Sequence, residues 1–231
     1  MQIKNNLETA EIIGKYNKLI IDARLPDGKI VQVFCSSYDI YNICNIGTTI
    51  YINKRQGESY RIPYEIEFVL QDSKLIYAKP NCNNNLFEEA FVKGVFAEFS
   101  DYTDCHRLQA TDNLPHLDFE LSNSQGDKCF VFVTNIYQKQ GSSAVFPSEV
   151  NFFEFEMFEE MRKLRSQGYK TCVFMIVPRT DCYDIRFSWK LCPFAAGKIF
   201  EEAKNGLNFI GYGCNITKMS VTLSHNIPIL Y

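Results

Sequence analysis

The chain has 231 residues, of which 46% are hydrophobic and 22% are charged, and its formal net charge is −3. This composition is typical of a folded globular protein and excludes a disordered chain, which combines low hydrophobicity with high net charge. No apolar run approaches the ~20 residues that cross a bilayer, and residues 1–11 lack the apolar core of a signal peptide. We therefore expect a cytoplasmic protein with no membrane partner.

The nine cysteines are scattered along the chain, and no two of them have CxxC spacing. An odd number of dispersed cysteines is typical of a reducing compartment, in which cysteine serves as a small buried hydrophobe. The chain has three histidines, and the adjacent pair Cys105 and His106 is poor geometry for a shared chelate. The cysteines therefore predict neither disulfides nor a zinc site.

The first third of the chain indicates β-structure. Turn signals such as Pro26, Asp27 and Gly28 separate short runs that are β-branched or alternate between apolar and polar residues. These runs cover residues 18–24, 29–34, 48–53, 62–70 and 74–78. Short strands with tight connections predict a small barrel or sandwich.

The pattern changes after a polar break at residues 80–85, and we place a domain boundary there, between 1–81 and 82–231. Helices are predicted at 86–96, at 149–165 with Ser148 as N-cap, and at 195–204. Strands are predicted at 117–121, 128–135, 171–177 and 207–212. Alternation of helices and strands predicts an α/β domain with at least one parallel strand pair.

Several short segments follow one another in a recognisable order. They are Asp27-Gly28, Cys35, Asn85-Leu86 with Glu89-Ala90, Leu117-Asp118-Phe119, Phe146-Pro147, Val177 to Asp181, and Pro193-Phe194-Ala195. In order and spacing they resemble the motifs of the sugar fermentation stimulation protein A family. This resemblance implies an N-terminal OB-like β-barrel followed by a restriction-endonuclease-like α/β domain of the PD-(D/E)xK type. It also implies DNA as a partner and a regulatory role in sugar metabolism.

The resemblance also locates the position of a nuclease centre. It places the first metal-binding acid at Asp118, and the next strand would supply a second acid and, two residues later, a lysine. Aligning that strand on Cys129 puts Phe132 at the acid and Thr134 at the lysine. Phenylalanine has no oxygen ligand for Mg²⁺ and threonine has no charge. We therefore predict a DNA-binding protein with a catalytically silent nuclease-like centre and no cofactor.

Two alternatives remain open from the sequence at this centre. Asp118 and Glu120 are two residues apart on a predicted strand, so they share a face and form a candidate metal pair. In that case the protein is a metal-dependent nuclease with substituted ligands, and Mg²⁺ is its cofactor. The competing interpretation is that Asp118 is hydrogen-bonded and Glu120 is solvated.

The helix predicted over residues 149–165 has apolar side chains on more than one face. They are Phe152, Phe153, Phe155, Met157, Phe158, Met161 and Leu164. An amphipathic helix needs only one apolar stripe. One hypothesis is that these rings and Phe132 fill the former catalytic cleft. The other is that they form an exposed patch for a protein partner, which would make the protein an adaptor.

Candidate nucleic-acid contacts come from both domains. On the barrel, Lys15, Lys18 and Arg61 are candidates for phosphate contacts. Tyrosines near them would supply stacking surfaces for single-stranded bases, or would pack the barrel walls; they are Tyr16, Tyr38, Tyr41, Tyr60 and Tyr64. In the second domain, Arg179 is a candidate for phosphate contact, and a structural pair with Asp181 is the alternative.

Overall fold

The computed structural model describes residues 1–3, 6–16, 19–55, 60–109, 114–147, 155–190 and 192–230, without the side chain of Phe155. The described residues of the N-terminal part form six strands and one short helix. They are β1 (Glu8–Tyr16), β2 (Ile20–Arg24), β3 (Ile30–Phe34), α1 (Tyr38–Ile43), β4 (Thr49–Lys54), β5 (Tyr64–Gln71) and β6 (Lys74–Tyr77).

Strands β1 to β5 close into a barrel. Their order is β3-β2-β1-β4-β5, and parallel pairing of β3 with β5 joins the two ends. The barrel interior is filled by the inward residues of each strand, such as Val31 and Val33 of β3. Helix α1 is capped by Ser37, whose Oγ accepts a hydrogen bond from the Ile40 N–H at 3.2 Å. The expected OB-like barrel is therefore confirmed.

The sequence pattern did not reveal β1 or α1. Strand β1 carries charged residues and a glycine, and its register shifts between Ile12 and Gly14 where it pairs with β2. A bulge interrupts the period-two alternation by which a strand is recognised from sequence. Pairing with both β2 and β4 holds this segment in the sheet, and that information is not local.

The remaining chain forms three helices and ten strands in the described residues. They are α2 (Asn83–Val92), β7 (Asp104–Arg107), β8 (Phe119–Ser122), β9 (Lys128–Asn135), β10 (Lys139–Gln140), β11 (Ser143–Phe146), α3 (Phe155–Ser166), β12 (Lys170–Val177), β13 (Asp184–Phe187), α4 (Pro193–Lys204), β14 (Asn208–Ile216), β15 (Val221–Asn226) and β16 (Ile229–Leu230). The described chain also has short 3₁₀ turns at Pro80–Cys82 and Ala97–Phe99. Among these helices, none is long and apolar enough to span a membrane.

A six-stranded sheet in the order β7-β8-β9-β12-β14-β15 organises this part. Strands β9, β12 and β14 are parallel, as the alternation of helices and strands predicted. Alternate residues of β12 enter two different cores, one with α2 and the other with α3 and α4. Burial on both faces explains why β12 is a continuous apolar run. A smaller sheet, β10-β11-β13-β16, adjoins the second core.

The barrel and the α/β part share a hydrophobic core. Phe68 and Tyr77 of the barrel pack in the same cluster as Phe87 of α2, and Tyr137 is buried in the barrel core. The N-terminus also crosses over, because the Ile3 N–H donates to the Met219 carbonyl at 2.8 Å. The division at residue 81 stays a prediction, and these contacts bind its two sides into one unit.

Gly211 of β14 is explained by close packing. A Cβ at Gly211 would overlap Ile185 Cδ1 and lie 2.9 Å from the backbone oxygen of Ile227. We expect Gly211→Ala to lower the free energy of unfolding by about 1–3 kcal/mol, because backbone must move. Urea denaturation measures this. Gly197→Ala in α4 is the control, since its Cβ would meet only Trp189 at 4.0 Å; equal stability of the two variants would contradict the argument.

Candidate functional site

Asp118 lies at the entry to β8, where its side chain continues the β8–β9 ladder. Its N–H donates to the Val131 carbonyl at 2.9 Å, and its Oδ2 accepts from the Val133 N–H at 2.7 Å. Its Oδ1 accepts from Asn84 Nδ2 at 2.7 Å. Burial raises the pKa of Asp118, against the lowering effect of these two hydrogen bonds and of the Arg107 charge. Both carboxylate oxygens therefore have protein partners.

Asn84 belongs to a polar run that the sequence suggested only as a boundary. Asn83 Nδ2 donates to the Val133 carbonyl at 3.2 Å, and Asn85 Oδ1 accepts from Arg107 Nη1 at 3.0 Å. Together the three asparagines attach the start of α2 to β7, β9 and the residue preceding β8. The available sequence signal was the match of Asn85 and Leu86 to a helix start, which does not reveal the hydrogen bonds.

The neighbouring strand carries no acid or lysine at the two expected positions. Phe119 of β8 pairs with Val131 of the antiparallel strand β9. The next pair in the same register therefore places Phe132 opposite Asp118. Phe132 packs against the core of α3 and α4, and Thr134 lies opposite Met175 of β12. A phenyl ring thus occupies the place of the second acid.

Glu120, the other half of the candidate metal pair, has a different partner. It forms an ion pair with Lys128 at 2.7 Å, and its cross-strand neighbours are His106 and Phe130. No group of three or more His, Cys, Asp or Glu residues suitable for a metal occurs in the part of the chain that the structure describes. The Asp118–Glu120 metal pair stays a prediction that these contacts do not favour.

The candidate barrel contacts separate into two kinds. Lys15 Nζ donates to the Tyr41 carbonyl at 2.7 Å and lies 4.2 Å from the centre of the Tyr41 ring, so it is held on the protein. Arg61 is exposed, and Lys18 lies outside the described residues. Tyr64 is buried and Tyr41 is half-buried, whereas three of the tyrosines named from the sequence are about half exposed: Tyr16, Tyr38 and Tyr60.

Three aromatic residues, an isoleucine and an arginine lie along the outer face of the barrel. Tyr16 pairs with Ile20, and Ile20 pairs with Phe34 on the next strand. The Arg55 guanidinium lies 4.8 Å from the centre of the Phe34 ring and 3.7 Å from that of Tyr60. We call Tyr16, Ile20, Phe34, Arg55 and Tyr60 the aromatic row. Phe34 and Arg55 were not found from sequence, because only the sheet register brings them together.

Comparison with known proteins identifies the family. A family model described as the sugar fermentation stimulation protein RE domain matches residues 81–220, more than half of the chain. The chain belongs to the sugar fermentation stimulation protein family. The matched segment includes Asp118, Phe132 and Thr134, so the departure from the expected ligands lies inside the family's own domain.

Relatives of similar length support the assignment over the whole chain. A sugar fermentation stimulation protein homolog of Maricaulis maris is 24% identical over 225 residues, which cover 96% of each chain. A homolog of Citrifermentans bemidjiense is 23% identical and covers both chains completely. The structure of Pyrococcus furiosus SfsA in complex with Ca²⁺ is 15% identical, with a TM-score of 0.84 over 100% of this chain and 98% of that one. The family's fold, an OB-like barrel followed by an α/β domain, is therefore confirmed here.

In this member of the family, the described part of the Phe-rich helix packs inward. Met157, Phe158, Met161 and Leu164 of α3 are buried in the same core against which Phe132 packs. Ser148, Phe152 and Phe153 lie outside the described residues, as does the side chain of Phe155. These contacts favour the filled-cleft hypothesis over an exposed patch, and the protein partner stays a prediction.

Arg179 is almost completely enclosed, at 2% exposure. Its Nε and Nη2 donate to the two oxygens of Asp181 at 2.6 and 2.9 Å, and its Nη1 donates to the Tyr137 carbonyl at 2.6 Å. Nη2 also donates to Gln71 of the barrel at 3.0 Å. The structural pair with Asp181 is present, and a phosphate contact by Arg179 stays a prediction that its burial does not favour.

A pair of substitutions tests whether Asp118 has a structural role. We expect Asp118→Ala to lower the free energy of unfolding by about 1–3 kcal/mol, because the Val133 N–H loses its acceptor. We expect Asp118→Asn to stay within about 1 kcal/mol. Its amide oxygen replaces Oδ2, and its NH₂ can donate to Asn84 Oδ1 once the Asn84 amide, which now presents Nδ2 to Asp118, rotates by half a turn; Asn84 Oδ1 has no hydrogen-bond partner among the described residues. Urea unfolding followed by circular dichroism separates the two, and equal losses would contradict this role.

Proposed function

We propose that this protein binds DNA through the outer face of its barrel and does not cleave it. The observation that carries the proposal is the aromatic row, in which the Arg55 guanidinium lies over the rings of both Phe34 and Tyr60. Single strands bind where aromatic rings stack on bases and cations meet phosphates, and this row supplies both groups. The relatives are named for stimulation of sugar fermentation, and a regulatory role in sugar metabolism is part of the same proposal.

A cleft of about 820 Å³ adjoins the row and is lined by Lys54, Arg55 and Lys79. Lys79 is paired with the carboxylates of Glu65 and Glu67, which also line the cleft. This pairing leaves Lys54 and Arg55 as the cations for a strand that runs from the row into the cleft, whose lining also includes the acid Glu8. With a net charge of −3 and two such cations, we expect moderate affinity that decreases as the salt concentration rises.

The absence of cleavage rests on the chemistry at Asp118. The Pyrococcus furiosus relative was solved in complex with Ca²⁺, and divalent ions of this kind need several oxygen ligands. Here each oxygen of Asp118 already accepts a hydrogen bond, and the neighbouring strand offers Phe132 and Thr134. These residues do not fit a catalytic Mg²⁺ or Ca²⁺ site, so the proposal involves no metal.

The experiment measures fluorescence anisotropy of labelled single- and double-stranded oligonucleotides with the full chain, at low and physiological salt. We expect Tyr60→Ala to weaken single-strand binding about tenfold, because stacking contributes about 1–3 kcal/mol per base. Arg55→Gln should weaken binding and also reduce its salt dependence. Tyr183→Ala removes an exposed ring outside the barrel and is the matched control.

Two results would overturn the proposal. One is no binding by the natural protein even at low salt, which would direct attention to a protein partner instead. The other is equal affinity of the Tyr60→Ala variant and the natural chain. Incubation of supercoiled plasmid with the protein and Mg²⁺ or Mn²⁺ tests the proposed absence of cleavage. Cleavage that is lost in Asp118→Asn would establish the nuclease alternative.

A further inference from the structure

A separate pocket of about 280 Å³ opens beside the small sheet. Its polar and aromatic lining comes from Gln140 of β10, Ser143 of β11, Arg186 of β13, and Ser188, Trp189 and Lys190 in the segment that follows. It shares no residue with the aromatic row or with the nuclease-like centre. Its volume lies just below the range of drug-sized ligand sites, so it suits a small ligand.

Trp189 is the single tryptophan of the chain and is 46% exposed. Its ring packs edge-on against Phe200 of α4, with centroids 5.8 Å apart and planes at 72°. Gly197 of α4 has no side chain, and a Cβ there would lie 4.0 Å from Trp189 Cζ3, so α4 supports the indole closely. The ring is therefore held in place while much of it stays open, as a stacking surface requires.

The charge of the pocket is positive. Arg186 and Lys190 are exposed, and the described lining contains no acid; Asp184, which is hydrogen-bonded to the lining residues Ser143 and Arg186, offsets one of these two charges. Arg186 Nε donates to Asp184 Oδ1 at 3.0 Å, which orients the side chain. Within the described residues, its terminal Nη1 and Nη2 make no hydrogen bond to protein, and these are the groups that bind phosphate in pairs.

Ser188 supplies an independent observation. It is 3% exposed, and its Oγ has no hydrogen-bond partner in the described part of the chain. Its position is fixed, because its N–H donates to the Phe146 carbonyl at 2.7 Å and its carbonyl accepts from the Cys192 N–H at 2.8 Å. A buried hydroxyl without a partner is unfavourable, so one that lines a pocket points to a polar ligand atom.

We propose that this pocket binds a nucleoside 5′-monophosphate group. The base stacks on Trp189, the phosphate meets Arg186 and Lys190, and a sugar or phosphate oxygen completes the hydrogen bonding of Ser188. A free nucleotide and the 5′-phosphorylated end of a strand both present this base, sugar and 5′-phosphate. The site does not depend on DNA binding by the barrel, because none of its lining residues belongs to the barrel.

The single tryptophan makes the test direct. Adenosine 5′-monophosphate is titrated into the full chain while the fluorescence of Trp189 is recorded, and we expect saturable quenching. Arg186→Gln should weaken binding at least about tenfold and Ser188→Ala about threefold, since each removes a hydrogen-bonding group. Arg24→Gln, an exposed arginine on the barrel, should leave the titration unchanged.

Adenosine, inorganic phosphate and a 5′-phosphorylated trinucleotide are the comparison ligands. Quenching by the trinucleotide as well as the nucleotide assigns the site to strand ends, and quenching by the nucleotide alone assigns it to free nucleotides. The proposal is overturned by no saturable quenching, by equal affinity for adenosine or for phosphate alone, or by an unchanged Arg186→Gln. Tyr60→Ala should not alter this titration. Failure of the nucleotide site can therefore be distinguished from failure of DNA binding by the barrel.

Discussion

Replacing Arg179 by alanine is expected to lower the free energy of unfolding by about 3–5 kcal/mol, one of the largest single-residue effects we predict for this protein. The guanidinium joins Asp181, the Tyr137 carbonyl and Gln71, and so ties β5 of the barrel to the ends of β9 and β12. Its removal leaves the half-buried Asp181 with Lys139 as the remaining cation. Urea unfolding monitored by circular dichroism measures the loss.

The same cluster predicts a pH dependence. Burial alone would raise the pKa of Asp181, but hydrogen bonds from Arg179 and Lys139 outweigh it and hold the pKa well below its usual range. A depressed carboxylate pKa contributes stability above the unfolded value of about 3.9, and this stability is lost as the pH falls toward the folded value. We expect the acid-induced loss of stability below pH 4 to be smaller in Arg179→Ala.

Two further variants make the Arg179 prediction specific. Arg179→Lys retains the charge but not the paired donors, so we expect an intermediate loss. Lys198→Ala breaks an exposed ion pair with Glu201 and should stay within about 0.5 kcal/mol. A loss below about 1 kcal/mol in Arg179→Ala would show that the cluster does not hold the two parts together.

The double substitution Phe132→Glu with Thr134→Lys is the second change for which we expect a large loss in the free energy of unfolding. It installs the acid and the lysine that the nuclease pattern expects, yet we predict a stability loss of about 2–4 kcal/mol. Phe132 packs against the core formed by β12, α3 and α4, so the change removes a packed ring and places a carboxylate beside apolar side chains. Urea unfolding at pH 7 is the measurement.

A matched control uses the same chemical change on the surface. Phe194 is 71% exposed near the start of α4, and Phe194→Glu should alter stability by about 0.5 kcal/mol or less. A gain in stability of the double variant would refute the filled cleft. We also expect the double variant to leave plasmid intact with Mg²⁺, because Asp118 is still engaged by Asn84 and Val133.

Much of the framework was predictable because it follows from local patterns. The run before Pro178 predicted β12, and the segment 128–135 was predicted with the bounds that β9 has in the structure. Runs that are β-branched or that alternate between apolar and polar residues, with turn residues between them, predicted β2 to β6. Ordered short motifs predicted the family and its two-part fold, although the identities to the relatives compared are only 15–24%.

The candidate site was only partly predictable, for a physical reason. The sequence alone determined that Phe132 and Thr134 stand at the positions of the second acid and the lysine, because alignment to the family motif is enough to identify the residue at each position. The tertiary structure decided what surrounds them: the hydrogen bonds of Asn84 to Asp118, the enclosure of Arg179, and the stacking of Arg55 on Phe34. These contacts join residues more than twenty positions apart, and no local periodicity carries that information. Burial and partner choice depend on how the barrel packs on the sheet, and so belong to the folded chain.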